Sequence, residues 1–500
     1  MNGGDLNNLP VGPEAARLPE NRSLFYGGAW HPAEEGGLME TVSPGTGVSL
    51  GQVSEAGKAD VDAALLSARK GFEEWRQVAP MERSKILKEM AARVRERADE
   101  LALLDAADCG NPRSAMSYDS HASADQLEFF AGLVTEMKGA SIPMGPLVMN
   151  FSVREPLGVV AKIIAFNHPF MFCAGKSAAP LAAGNAVVVK PPEQAPLSAL
   201  RFAEIVGDLL PPGVFNVLTG GREAGAALAE HPGIDKVSVI GSVATGRAVL
   251  AAGAETIKPA ILELGGKNAL IAYADADPGE VASALIAGMN FAWCGQSCGS
   301  TSRGLLHEAI HDEVVGLVVE KIKEFKPGDP TDRKTTMGAI ISARQLQRVL
   351  DYIEIGKADG ATLACGGERP SDPALAGGLF VEPTVFTDVT KEMRIANEEI
   401  FGPVLSVMKW SDESEMLRTV NSVDYGLTCS IWTNDLHCAH RAAGAVEVGY
   451  VWVNETGKHF LGAPFGGAKQ SGIGREECLE ELLAYTREKN IHIRLKSSTG

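Results

Sequence analysis

Through the middle of the chain the apolar positions come in short runs separated by turns and amphipathic stretches. Gly158–Ile164 is rich in β-branched residues, Phe170–Ala183 has helical spacing, Ala186–Lys190 is a short continuous apolar run, and Pro196–Leu210 is helical again. The alternation continues through Val214–Leu218, Arg222–Glu230, Lys236–Ile240, Ala244–Ala254 and Lys258–Leu262. Continuous apolar strands between helices predict an α/β fold: a Rossmann-like parallel sheet covered on both faces, with ligands at the carboxyl ends of its strands. A second alternating region runs from Ala284 to Val453 and carries the strands Val404–Lys409 and Thr428–Thr433. It predicts a second α/β unit.

Upstream the pattern changes. Asn2 to Arg22 reads as a loose leader, and Asp60–Ala107 as two helices with apolar residues at helical spacing among Lys, Arg and Glu. Ser141–Glu155 holds Pro143 and Pro146 and alternates through Val148, Asn150 and Ser152, which predicts a small extended β arm. The tail alternates again at Ile491–Arg494. The expected division is a leader at 1–22, a first α/β domain at 23–137 and 158–262, a second α/β domain at 263–455, and an arm and tail at 138–157 and 480–500. There is no internal repeat and no low-complexity tract.

Composition narrows the partners. A chain of 500 residues with 45% hydrophobic residues suits two or three packed units, and a net charge of -17 repels phosphate backbones and anionic lipids. Neither nucleic acid nor membrane is expected as a partner. The longest apolar stretch, around Gly158–Val189, is interrupted by Lys162, Asn167, His168, Lys176 and Asn185 and fails as a membrane span. The 8 cysteines are sparse, and Met1 to Glu20 lacks an export pattern, so the expected location is a reducing cytoplasm.

Five segments carry candidate chemistry. In Phe291–Gly299, small residues flank Cys298 between two expected elements, as a nucleophilic thiol with an adjacent oxyanion site requires. Taken alone, a lone cysteine is more often a small buried hydrophobe. Glu263 stands at a strand end before Leu264, Gly265 and Gly266, placed as a general base toward water or as a solvated surface carboxylate. Asn167, in Phe166-Asn167-His168-Pro169, suits an oxyanion donor or a helix cap. Lys190 and Glu193 follow a strand and suit ribose hydroxyls or a solvated turn. Gly241-Ser242-Val243-Ala244-Thr245-Gly246 opens a helix, where free N–H groups attract a pyrophosphate. It is neither G-x-G-x-x-G nor a Walker A loop, because Arg247 and Ala248 stand where Lys and Ser/Thr are required.

Taken together, these segments resemble the aldehyde dehydrogenase superfamily in order and spacing. The match includes Pro156–Ala161, the Asn167-x-Pro169 turn, Ala183–Lys190, Pro211–Val217, Glu263–Lys267, Gly295–Cys298, Glu399–Pro403 and Pro464–Gly472. It spans about Leu24 to Arg494. The resemblance implies Cys298 as nucleophile, Glu263 as the base that activates a deacylating water, and Asn167 with the Cys298 N–H as oxyanion hole. It places Lys176 near the site. NAD would be held by Lys190 and Glu193 at the adenosine ribose, Gly221 and Gly225 on the adenine side, and Gly241, Ser242 and Thr245 at the pyrophosphate. Glu399 would meet the nicotinamide ribose with Phe401 beside it, and Ile164, Ala165, Phe166 and Leu264 would line the cofactor path. NADP is less favoured, because Glu193 would repel a 2′-phosphate. Ala165-Phe166 replaces the family's usual Pro-Trp, and Val239-Ile240 its usual Phe-Thr.

The implied reaction is oxidation of an aldehyde to an acid through a thiohemiacetal and a thioester on Cys298, with hydride passing to the nicotinamide. A Cys298 thiolate near neutral pH would require a lowered pKa. Pocket positions implied by the family are Phe170, Met171, Phe172, Gly175, Phe291, Ser297, Gly299, Phe460 and Phe465. Gly175 would leave room where a bulky residue often sits. These suit an uncharged aromatic or medium aliphatic aldehyde. The arm and tail would pair with another subunit, giving a homodimer or homotetramer. Two rival readings exist. His307-Glu308-Ala309-Ile310-His311 satisfies the H-E-x-x-H pattern of a zinc peptidase if it lies on one helix, although the resemblance puts it at a strand-to-helix junction and no metal is expected. A non-catalytic dehydrogenase-fold binding protein would have lost its nucleophile, whereas Cys298, Glu263 and Asn167 are all present.

Overall fold

The continuous apolar runs form the centre of two sheets. Ala186–Lys190 and Lys236–Ile240 are buried at all five positions, as strands covered on both faces must be. Each fully buried Val contributes about 1.5–3 kcal/mol, so a charge at Val188 would remove that and leave an unpaired ion in the core. The structure is a computed structural model and describes residues 11–34 and 36–496.

The first sheet has the order Ala29–His31, Leu24–Tyr26, Phe215–Val217, Ala186–Lys190, Val159–Ile163, Lys236–Ile240, Ala260–Glu263, Gly472–Ile473. The five inner strands are parallel, and the outer ones run antiparallel. Chain order reverses between Val159–Ile163 and Lys236–Ile240, which opens a crevice at their carboxyl ends. Ile164, Ala165 and Phe166 leave one side of it, and Gly241 and Ser242 the other. The second sheet has the order Thr362–Cys365, Thr384–Thr387, Val404–Trp410, Arg303–His307, Ala269–Ala272, Thr428–Trp432, Tyr450–Val453. Only its Thr362–Cys365 edge is antiparallel. Gly472–Ile473 returns from beyond this second sheet to close the first one beside Leu262 and Glu263.

Several expectations shift. Asp60–Ala107 falls in three helices, Lys58–Trp75, Pro80–Glu96 and Ala98–Cys109, rather than two. Pro80 opens the second at its first turn, and Arg97 interrupts the chain before the third. The helix from Pro196 ends at Val206 and tightens into a 3-10 turn at Gly207–Leu209. The leader is not loose over residues 11–22. Gly12 N–H donates to Thr331 (2.7 Å), Asn21 N–H to Glu204 (2.7 Å), and Ala16 is buried in the core. Its first ten residues lie outside the described ones, as do 497–500. The arm and tail pair with each other within one chain: Thr486–Arg494 runs antiparallel to Val148–Pro156 over nine residues, and Ser141–Pro143 adds a third strand. Two alternating segments of matched length satisfy each other's backbone groups.

Candidate active site

Cys298 sits on a loop, not a helix turn. After the short 3-10 turn Phe291–Trp293, Cys294 and Gly295 take left-handed backbone (φ 54° and 64°). A Cβ at Gly295 would come within 2.2 Å of the Gly402 carbonyl, so only glycine fits. Side chains pin the loop on both flanks. Gln296 donates to Ala339 O (3.2 Å) and accepts from Ile341 N–H (3.1 Å), while Asn268 Nδ2 donates to Cys298 O (2.7 Å) and Ser300 O (3.0 Å). Cys294 is buried, and its Sγ donates to Gly338 O (2.9 Å), a packing role. Cys298 keeps partial access.

Cys298, Glu263 and Lys176 line one cavity of about 260 Å³. Glu263 ends the strand Ala260–Glu263, where its backbone carbonyl accepts from Gly241 N–H (3.0 Å), and both its carboxylate oxygens are buried without a hydrogen bond among the described residues. Burial, and then the Glu476 charge, hold its carboxyl well above the usual range. The Cys298 thiol is pushed up to about 12, first by burial and then by the Glu263 and Glu399 charges. A thiolate lowered in pKa by its own surroundings is therefore not what the protein provides. Lys176 lies 2.9 Å from Glu476 Oε2 and 3.3 Å from Glu477 Oε1. Burial alone would lower its pKa; the two carboxylates outweigh it and raise it well above the ordinary lysine value.

Asn167 is buried beside the cavity without lining it. Its carbonyl accepts from Asn111 Nδ2 (2.8 Å), and its carboxamide makes no hydrogen bond among the described residues. It does not cap the helix Pro169–Ala183; His168 holds that position. The remaining pocket positions divide. Met171, Phe172, Ser297, Gly299 and Phe465 line the cavity. Phe170 instead packs edge-on against Phe202 in the core, Phe291 packs against Phe325, and Phe460 points outward, 56% exposed. Gly175 leaves no room: a Cβ there would meet Gln126 Oε1 at 2.3 Å, so Gln126 fills the space.

The expected cofactor residues gather at the carboxyl ends of the first sheet. Lys190 Nζ makes no hydrogen bond among the described residues, and burial lowers its pKa against the pull of Glu193 and Glu55. Gly225 faces the Lys190 stem, and a Cβ at Gly221 would lie 3.2 Å from Glu193 and 3.3 Å from Glu55. Ser242 caps the helix Val243–Ala254, its Oγ accepting from Thr245 N–H (3.2 Å), with Gly246 packed on Leu264. Ile164 N–H donates to Lys190 O. Glu399 accepts from Gly266 N–H (2.9 Å), and Phe401 meets Phe166 edge-on at 5.7 Å. The exposed helix start, the unpartnered lysine and the nearby carboxylates fit a dinucleotide: donors for the phosphates, and donor plus acceptors for a ribose.

Sequence reasoning missed Glu55, Asp119, His459, Glu476 and Glu477, and gave His168 no role. Each reaches its partner across a gap in the chain that carries no periodic signal. The H-E-x-x-H segment does not lie on one helix. His307 ends the strand Arg303–His307 and His311 begins the helix His311–Lys321; Nδ1 of His307 accepts from Ala309 N–H, and Nδ1 of His311 pairs with Asp312 (2.7 Å). Among the described residues no cluster of three or more His, Cys, Asp or Glu is placed to hold a metal, and no helix is long and apolar enough to cross a membrane.

A thiol and a carboxylate sharing a cavity beside a doubly wound sheet define a nucleophilic-cysteine enzyme built on a nucleotide-binding framework. The chain belongs to the aldehyde dehydrogenase family, whose model matches residues 30–491. It is 49% identical to aldehyde dehydrogenase tropH of Talaromyces stipitatus, over 98% of this chain and 96% of that protein. An aldehyde dehydrogenase of Bacillus cereus, solved as its NAD+ complex, superposes with a TM-score of 0.94 at 39% identity, covering 98% of this chain and 100% of that one. PnpE of Pseudomonas sp. WBC-3 gives a TM-score of 0.93 at 36% identity, over 96% and 99% of the two chains.

Proposed function

We propose that this aldehyde dehydrogenase uses NAD to oxidise an uncharged aromatic or medium aliphatic aldehyde to its carboxylic acid through a thioester on Cys298. The observation that carries the reading is the shared cavity of Cys298 and Glu263. NAD use is supported by the Bacillus cereus enzyme and PnpE, both solved with this dinucleotide. Preference over NADP is supported by Glu193 and Glu55, which together set two negative charges beside Gly221. Met171, Phe172, Trp293, Trp452 and Phe465 supply apolar walls, and among the described residues no arginine lines the cavity to hold a second carboxylate. On this reading 23–137 and 158–262 serve as the cofactor domain and 263–455 as the catalytic domain.

NAD, when bound, supplies the hydride acceptor and a positively charged ring. Cys298 Sγ attacks the aldehyde carbon as its thiol proton passes to solvent water, and the Asn167 carboxamide and Cys298 N–H hold the developing oxyanion. Hydride loss converts the thiohemiacetal to a thioester. Glu263 takes a proton from water, the hydroxide adds to the thioester carbon, and the C–S bond breaks to release the acid as the proton on Glu263 returns to the departing sulfur. Lys176 neutralises Glu476 and Glu477 and so limits repulsion against an ionised Glu263.

Glu263→Gln tests the order of these steps. It should form the thioester and release about one NADH per site in a burst, then stall. Mass spectrometry should find an acyl adduct on Cys298, and hydroxylamine should restart turnover. A variant with no burst would show that Glu263 first deprotonates Cys298.

A further inference from the structure

His168 has no part in the chemistry above, yet it lines the cavity that holds Cys298. Its Nδ1 lies 2.7 Å from Asp119 Oδ2. The Asp119 side chain is only 1% exposed, and its other oxygen is buried without a partner among the described residues. A carboxylate can only accept, so the shared hydrogen sits on Nδ1. In the neutral imidazole Nε2 then presents its lone pair. It makes no hydrogen bond among the described residues, and unlike Asp119 Oδ1 it is not sealed from solvent. Phe172 at 5.3 Å and Trp293 at 5.7 Å hold the ring in place. A second lining histidine repeats the device: His459 Nδ1 lies 3.0 Å from the buried Glu477, with the ring 4.3 Å from Phe465.

A purely apolar substrate would make this arrangement costly. Closing such a molecule over Nε2 strips water from an acceptor and returns nothing, whereas a phenylalanine would fill the same wall without that loss. A bound hydroxyl removes the cost by donating to Nε2. A carboxylate on the substrate is disfavoured, because Asp119, Asp125, Glu476 and Glu477 already line the cavity and Lys176 is committed to two of them. The flat faces of Phe172, Trp452 and Phe465 suit a ring. A phenolic O–H, with its pKa near ~10, is a stronger donor than an aliphatic alcohol. The cavity of about 260 Å³ lies just below the range for drug-sized ligands and suits a single ring.

We propose, on the reading of this site as an aldehyde oxidiser, that the substrate is a hydroxyaryl aldehyde whose ring hydroxyl donates to His168 Nε2, with Asp119 as the positioning residue that holds the imidazole tautomer. The substrate hydroxyl is thus selected at a distance from the reacting carbonyl.

The test compares kcat/KM with NAD for 3- and 4-hydroxybenzaldehyde against the 3- and 4-methyl isosteres, 4-carboxybenzaldehyde and hexanal. Wild type should favour hydroxyl over methyl by about tenfold or more at one ring position, the scale of a hydrogen bond whose loss strands a buried acceptor. His168→Phe should bring that ratio to about one or invert it, while His168→Gln, which keeps an acceptor, should retain part of it. Ratios within one variant cancel any disturbance of the neighbouring Asn167. A wild-type ratio near one at both positions, a ratio unchanged in His168→Phe, or a preference for 4-carboxybenzaldehyde would overturn the proposal. NADH release from hexanal and the methyl compounds without hydroxyl preference would overturn the hydroxyl inference alone. No NADH from any aldehyde would overturn the oxidation reading and this inference with it.

Discussion

Cys298 owes its properties to neighbours that lie far off in the sequence. Its loop is shaped by Gln296 reaching Ala339 and Ile341, and its thiol is raised to about 12 by burial and by Glu263 and Glu399. Without cofactor, the thiolate is scarce at neutral pH. Alkylation of the cofactor-free enzyme by iodoacetamide, followed by mass spectrometry at Cys298, should therefore accelerate about tenfold per pH unit from pH 7 to 10 with no plateau. A plateau below pH 8 would mean that the thiol ionises far more readily than its surroundings allow. The candidate nucleophile was named on the order of the motifs around it; its protonation state was not legible, because burial and charge at one atom are sums over residues that local pattern does not bring together.

At the scale of elements, the helix Pro169–Ala183 shows how far local signals reach. Pro169 starts it, and Gly184 in left-handed backbone (φ 94°) ends it, both as the residue types predict. Nothing local says that Lys176 on this helix is locked between Glu476 and Glu477 from a turn near the other end of the chain. Removing the ammonium leaves two carboxylates buried together. Lys176→Met should cost about 3–5 kcal/mol, the scale for breaking a buried pair from one side. Chemical denaturation at pH 7.5 checks this, and Lys176→Met combined with Glu476→Gln and Glu477→Gln should recover a large part of the loss. A single variant as stable as wild type would show that the triad contributes little.

Over the whole molecule, the arm sheet leaves a group of exposed apolar side chains among the described residues. Ile142 (40% exposed), Met144 (52%), Leu147 (49%), Met149 (52%) and Leu495 (42%) leave apolar surface open on the sheet and its connecting residues. Association of copies through this sheet, as a dimer or a tetramer, would cover it. Sedimentation of the wild type should give a homo-oligomer, and Leu147→Glu with Met149→Arg should shift it toward monomer with the same far-ultraviolet spectrum. A monomeric wild type would remove the oligomer from the account.

The sequence by itself determined the alternation of strands and helices and the parallel core of the first sheet, and it named the candidate thiol, carboxylate and cofactor segments. Periodicity, Pro and Gly stops, and motif order are properties of neighbouring residues, and they survive in one dimension. Tertiary structure alone decided what meets what. It folded Asp60–Ala107 into three helices, tied residues 11–22 to Thr331 and Glu204, and paired the arm with its own tail. It also filled the space beside Gly175 with Gln126 and set His168 against Asp119. These are contacts between residues distant along the chain. Their energies depend on burial and on angstrom-scale distance, which exist only once the two sheets and the helices around them are packed.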